Sequence, residues 1–134
     1  PGSDEMHRAC HFRALIAAVL TLASAAAMAG EADVIAVEVR ASGPHVFRFD
    51  VTVRSRDTGW DDYAERFEVV APDGSVLGTR VLLHPHETEQ PFTRELDGVR
   101  IAPSIGLVTV RAWMKRGKQI KAAGGETMQV KVPR

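Results

Sequence analysis

From residue 34 onward apolar and polar residues alternate with a period of two, the spacing of a half-buried β-strand. The clearest stretch is Val46 to Arg54: Phe47, Phe49, Val51 and Val53 fall on one face, and Arg48, Asp50, Thr52 and Arg54 on the other. Before it, Ile35, Val37 and Val39 alternate with Ala36, Glu38 and Arg40, and Ser42-Gly43-Pro44 predicts the turn between the two strands. Residues 55–62 read as a polar loop. A third strand follows, with Tyr63, Glu65, Phe67 and Val69 expected on one face and Ala64, Arg66, Glu68 and Val70 on the other.

Pro72-Asp73-Gly74 is a turn with a mechanism, since proline presets the first central torsion and glycine tolerates positive φ. A fourth strand over residues 76–83 returns from it as a hairpin. Pro85 and Pro91 then fence a polar connection. A short fifth strand, residues 92–96, is expected to end at Asp97-Gly98, with Val99 and Ile101 adding an apolar pair. Residues 107–114 are apolar on both faces apart from Thr109 and Arg111, which predicts a central strand covered on both sides. Gly117 and Gly124-Gly125 bracket what reads as a long basic loop, and Met128, Val130 and Val132 form a last strand. About seven short strands at spacings of roughly ten residues, without an amphipathic helix, predict an all-β immunoglobulin-like or fibronectin type III-like β-sandwich.

The amino terminus follows a different rule. His7, Arg8, His11 and Arg13 form a basic start, residues 14–27 are almost wholly apolar, and Ala27-Met28-Ala29 offers small residues at a cleavage site. That order predicts a secretory signal peptide over residues 6–29. The apolar stretch falls short of the roughly 20 residues a bilayer span requires, so no membrane span is expected in the mature form. Residues 1–5 precede Met6 and read as a scar or a mis-set start. The single cysteine, Cys10, lies before the apolar stretch, not after it where a lipid-carrying cysteine would stand. Residues 30–134 are expected to form one domain that holds itself together by its core, without disulfides.

Charge adds little. Lys and Arg number 17 and so do Asp and Glu, which removes any general electrostatic pull toward nucleic acid. Two runs are uneven: Asp57, Asp61, Asp62, Glu65 and Glu68 are acidic, and Arg111, Lys115, Arg116, Lys118 and Lys121 are basic. Such runs read as solvated loops and strand faces.

The segments Gly59-Trp60-Asp61-Asp62-Tyr63-Ala64, Val69-Val70-Ala71-Pro72-Asp73-Gly74, Val76-Leu77-Gly78-Thr79-Arg80 and His84-Pro85-His86, with Glu89-Gln90-Pro91-Phe92-Thr93-Arg94, resemble a group of small, uncharacterised exported bacterial proteins. The resemblance implies a single sandwich domain behind a signal peptide and carries no activity.

Candidate chemistry is sparse. In His84-Pro85-His86 the imidazoles stand two residues apart, so in extended chain both point the same way. They are candidates for copper or zinc, with Glu87, and after it Glu89 or His45, as further ligands. No other cofactor is expected. Trp60 and Tyr63 are candidates for an aromatic platform toward a sugar or peptide, the plainer alternative being a tryptophan packed over the end of the core. Asp57, Asp61 and Asp62 offer oxygens without the spacing of a calcium loop. There is no Gly-x-Ser-x-Gly elbow, and the serines sit in turn contexts, so no catalysis is expected. The reading that results is a periplasmic or secreted β-sandwich that binds another envelope or secreted protein, with metal binding and carbohydrate binding as alternatives.

Overall fold

The computed structural model describes residues 32–121 and 125–134. The predicted signal peptide lies outside the described residues, as do Ala123 and Gly124 of the basic loop. Eight strands follow in order: β1 (Asp33–Gly43), β2 (Val46–Arg54), β3 (Asp62–Val70), β4 (Val76–Val81), β5 (Phe92–Arg100), β6 (Leu107–Arg116), β7 (Gln119–Lys121) and β8 (Met128–Lys131). Among the described residues there is no helix, hence none long and apolar enough to cross a membrane.

The strands make two sheets, one ordered β1-β2-β5 and the other β4-β3-β6-β7, with β8 also paired to β6. All pairings are antiparallel. The alternation of β2 carries through directly: Phe47, Phe49, Val51 and Val53 are buried. They meet Phe67, Val69, Val108, Val110, Ala112 and Met114 from the second sheet in one apolar core. Phe49, Phe67, Phe92, Ile101 and Met114 are among its largest fully buried side chains, each of a size that stabilises by about 1.5–3 kcal/mol on leaving water.

The expected faces slip at the bulges. Ala64 faces Met114 and Arg66 faces Trp113, so Glu65 is one residue too many. An extra residue shifts the parity of everything beyond it. Ala64 therefore joins Phe67 and Val69 in the core, and Tyr63 falls on the outer face beside Lys115. The bulged Glu65 carbonyl is taken by Leu82 N–H at 2.7 Å. Leu82 is buried there, β4 stops at Val81, and the predicted continuation to Leu83 leaves the sheet.

A second bulge corrects the end of β5. Phe49 faces Leu96 and Phe47 faces Val99, so Asp97-Gly98 interrupts the ladder without ending the strand. Gly98 takes φ 72° to make the kink, a conformation open to glycine at no steric cost. The basic loop is also shorter than expected: β6 runs to Arg116, turns at Gly117 (φ 61°) and returns as β7. Finally, β6 is covered on one side only. Val108, Val110, Ala112 and Met114 face the core, while Leu107, Thr109, Arg111, Trp113 and Lys115 line the solvent side.

Candidate functional site

Two clusters of chemistry-bearing side chains stand out, one buried at an end of the sandwich and one open on the five-stranded sheet.

The buried cluster joins residues 55–57 to residues 82–94. Asp57 has no exposed side-chain surface. Its Oδ1 accepts from Ser55 Oγ (2.7 Å) and Ala64 N–H (3.0 Å), and its Oδ2 from His86 N–H (2.7 Å). Gln90 closes the ring: its Oε1 accepts from Ser55 N–H (2.9 Å), and its Nε2 donates to His86 O (2.8 Å). The aspartate thus serves as an acceptor for three donors that burial would otherwise leave unpaired.

His86 is buried and stacks on Phe92, with ring centroids 3.8 Å apart and planes 9° from parallel. Its Nε2 stands 3.2 Å from Arg94 Nη2. A guanidinium only donates, so Nε2 accepts and the ring proton sits on Nδ1. That nitrogen lies 3.9 Å from Asp57 Oδ2, beyond hydrogen-bond reach, and has no partner. Burial first, then the charges of Arg94 and His84, hold the His86 pKa below its ordinary value. The ring is therefore neutral near pH 7.

Of the metal candidates, the structure brings His84 and His86 together, with ring centroids 4.6 Å apart. It makes them unlike: His84 is exposed and His86 is covered. Arg94 sits on the His86 nitrogen that would otherwise reach outward, and it also pairs with Glu89 at 3.0 Å. Glu87 is exposed. His45, at φ 58° in the β1–β2 turn, lies beyond the other end of the nine-residue β2, about 30 Å away at the rise of a strand. No group of three His, Cys, Asp or Glu among the described residues is placed to hold a metal ion.

The open cluster lies across β3 and β6. Trp113 projects outward between two guanidiniums, Arg111 at 5.2 Å and Arg66 at 5.8 Å from its ring centre. Glu68 Oε1 accepts from Trp113 Nε1 (2.6 Å) and Arg111 Nε (3.0 Å). This fixes the indole's tilt and satisfies its only donor. On the same face Lys115 stands over Tyr63, its Nζ 5.8 Å from the ring centre, and faces Ile120 of β7. Trp60 meets Tyr63 edge-on, with centroids 5.6 Å apart and planes at 73°. Tyr63 is covered, whereas Trp60 is 61 % exposed. The tryptophan does not cap the core. Val81, opposite Arg66 on β4, is exposed too.

The acidic and basic runs of the sequence meet here. Antiparallel pairing of β3 with β6 sets Asp62 opposite Arg116 and Glu68 opposite Arg111. Both pairs form ion pairs, at 3.3 Å and 3.0 Å. Asp57 and the backbone of Asp61 are likewise occupied, the latter accepting from Gly117 N–H at 2.8 Å.

Trp113 was the functional candidate that sequence patterning missed, because a strand apolar at most positions reads as covered on both faces. The available signal was parity: Trp113 shares its face with Arg111 and Lys115, not with Val110 and Met114.

Comparison with known proteins gives one informative relative. Over 100 residues, 75 % of this chain, it is 35 % identical to a Halomicrobium mukohataei protein named "Putative lipoprotein". The chain spans about half, 47 %, of that relative's length. No protein-family model matches, and no solved structure matches.

Proposed function

We propose that this chain is an exported, non-catalytic β-sandwich module that binds another protein through the solvent side of its five-stranded sheet. The observation that carries the reading is the composition of that face. Trp113, Val81 and Ile120 share it with Arg66 and Arg111, and exposed Trp60 stands against its covered Tyr63. Tryptophan, tyrosine and arginine dominate the energetic centres of protein interfaces, and the indole is already oriented by Glu68 without help from a partner. The preorganised ring lowers the entropy lost on binding.

The address rests on the signal-peptide pattern of residues 6–29 and is supported by the lipoprotein name of the relative. For the fold type, β4 lies beside β3 and not in the three-stranded sheet. In the constant-type immunoglobulin layout the fourth strand completes the first sheet, so this placement speaks against the constant type and supports a fibronectin type III-like reading.

A photo-crosslinking side chain placed at Ile120 or Val81 should yield a protein adduct in the native envelope, and one placed at Thr52, on the solvent side of the other sheet, should not. Failure of both outer-sheet positions to yield any adduct removes the reading. Exposed Trp60 supports carbohydrate binding as a second reading. A tryptophan emission shift with a glycan panel that vanishes in Trp60→Ala would favour it.

A further inference from the structure

We propose that β1 is the seam of a homodimer, in which two copies of the chain pair edge to edge and antiparallel about Val39. Strand β1 is an outer strand of the three-stranded sheet. Its ladder with β2 is irregular between Val34 and Ala36 and again between Ala41 and Gly43, so residues 36–41 form a straight run between two bulges. Among the described residues, the backbone bond that β1 makes away from this ladder is Val34 N–H to Glu126 O, outside the run. An open straight edge is a template for another strand, and proteins commonly blunt such edges with proline, charged side chains or a bulge. Residues 36–41, Ala-Val-Glu-Val-Arg-Ala, contain no proline and no bulge, and their two charges are of opposite sign.

The run is instead self-complementary. Glu38 and Arg40 flank Val39 and are both exposed. Antiparallel pairing about Val39 sets Glu38 of one copy opposite Arg40 of the other, and the twofold axis repeats the contact. Within the chain the opposite holds. Glu38 faces Asp50, which faces Glu95, and Arg40 faces Arg48. Arg48 reaches both Asp50 and Glu95, and Arg40 reaches Asp50 at 3.7 Å, while no base among the described residues pairs with Glu38. The second copy's Arg40 supplies that missing cation. Val37 and Val39, half-buried, continue the apolar row across the seam. The dimer leaves the aromatic face of the other sheet open, so each assembly presents that face twice, which strengthens binding to any partner displayed at high density.

Sedimentation velocity on the full chain, from about 1 to about 200 µM, tests this in the range where a contact of modest area exchanges. The wild type should pass from monomer to dimer. Glu38→Arg and Arg40→Glu should each weaken the dimer at least about tenfold, because each sets two like charges across the seam. Neither should unfold the chain: Glu38→Arg turns the like-charge pairing with Asp50 into an attractive one, and Arg40→Glu gives up the long contact to Asp50 for an attractive pairing with Arg48; a melting temperature close to that of the wild type checks this. An equimolar mixture of the two variants should dimerise again, the doubly basic strand of one meeting the doubly acidic strand of the other. A wild type that stays monomeric throughout, single variants that dimerise like wild type, or a mixture that remains monomeric would each overturn the proposal.

Discussion

Two arginine–aromatic assemblies sit in this molecule, and they differ in what they leave open. Around Phe92, the His86 ring is stacked and takes Arg94 on Nε2, and Arg94 also pairs with Glu89. The Asp57 carboxylate is filled by Ser55, Ala64 and His86, which leaves His86 Nδ1 as the unpaired polar atom of this cluster. Around Trp113, the carboxylate of Glu68 is occupied as well, yet the indole remains partly open to solvent, on the sheet face that also carries exposed Val81 opposite Arg66. A polar group saturated by its own chain holds structure together. An aromatic surface oriented by such a group, and left uncovered, is ready for something else.

The largest effect should come from Asp57→Ala. It strands Ser55 Oγ and the N–H groups of Ala64 and His86 in a buried setting, and a loss of about 3 kcal/mol or more is expected. Urea unfolding measures it, and a loss below about 1 kcal/mol would show that water replaces the carboxylate. Partner affinity, measured where the variant remains folded, should not change.

Trp113→Ala should do the reverse. Partner affinity should fall by about 2 kcal/mol or more, as at an interface anchor, with a smaller loss of stability. If affinity to the crosslinked partner survives, the anchor lies elsewhere on the sheet.

Protonation offers a finer contrast. The His86 pKa is depressed in the folded state by burial, Arg94 and His84, so the unfolded chain takes up the proton first. Stability is then fully present above the ordinary histidine value near 6.5 and declines as pH falls through it toward the folded value. Urea midpoints between about pH 7 and about pH 5 should drop in the wild type and stay flatter in His86→Phe, which keeps a ring on Phe92 and removes the proton. Equal slopes in both proteins would assign the acid sensitivity to other groups. Copper and zinc titrations belong with this test: heat equal to that of the His84→Ala/His86→Ala variant is expected, and a site of defined stoichiometry in the wild type alone would establish the metal reading.

The smallest effect should be that of Trp60→Ala on stability, within about 0.5 kcal/mol for a side chain so exposed. A larger loss in thermal unfolding would make Trp60 part of the core's cover, and the aromatic face would shrink to Trp113.

Much of the fold was legible in the sequence because a strand with one buried face writes its period into the chain. The positions of Phe47, Phe49, Val51 and Val53 needed no tertiary information, and the turn at Pro72-Asp73-Gly74 followed from torsional preference alone. The His84-Pro85-His86 spacing likewise predicted two imidazoles near one another, and the structure has them 4.6 Å apart.

Only the tertiary structure decided the rest. Bulges at Glu65 and at Asp97-Gly98 moved Tyr63 outward and carried β5 on to Arg100, because one extra residue inverts parity and no local signal marks where it falls. Residues 29 and 41 positions apart, Asp57 with His86 and Thr52 with Thr93, meet through the order of the strands, not through spacing. The same holds for the acidic and basic runs, two separate solvated stretches in the sequence, which the antiparallel register of β3 and β6 turned into ion pairs. Which face of β6 stays uncovered is marked in the chain only by the parity of Trp113 with Arg111 and Lys115. Whether anything packs above that face depends on the other elements, and a strand's own residues do not record that.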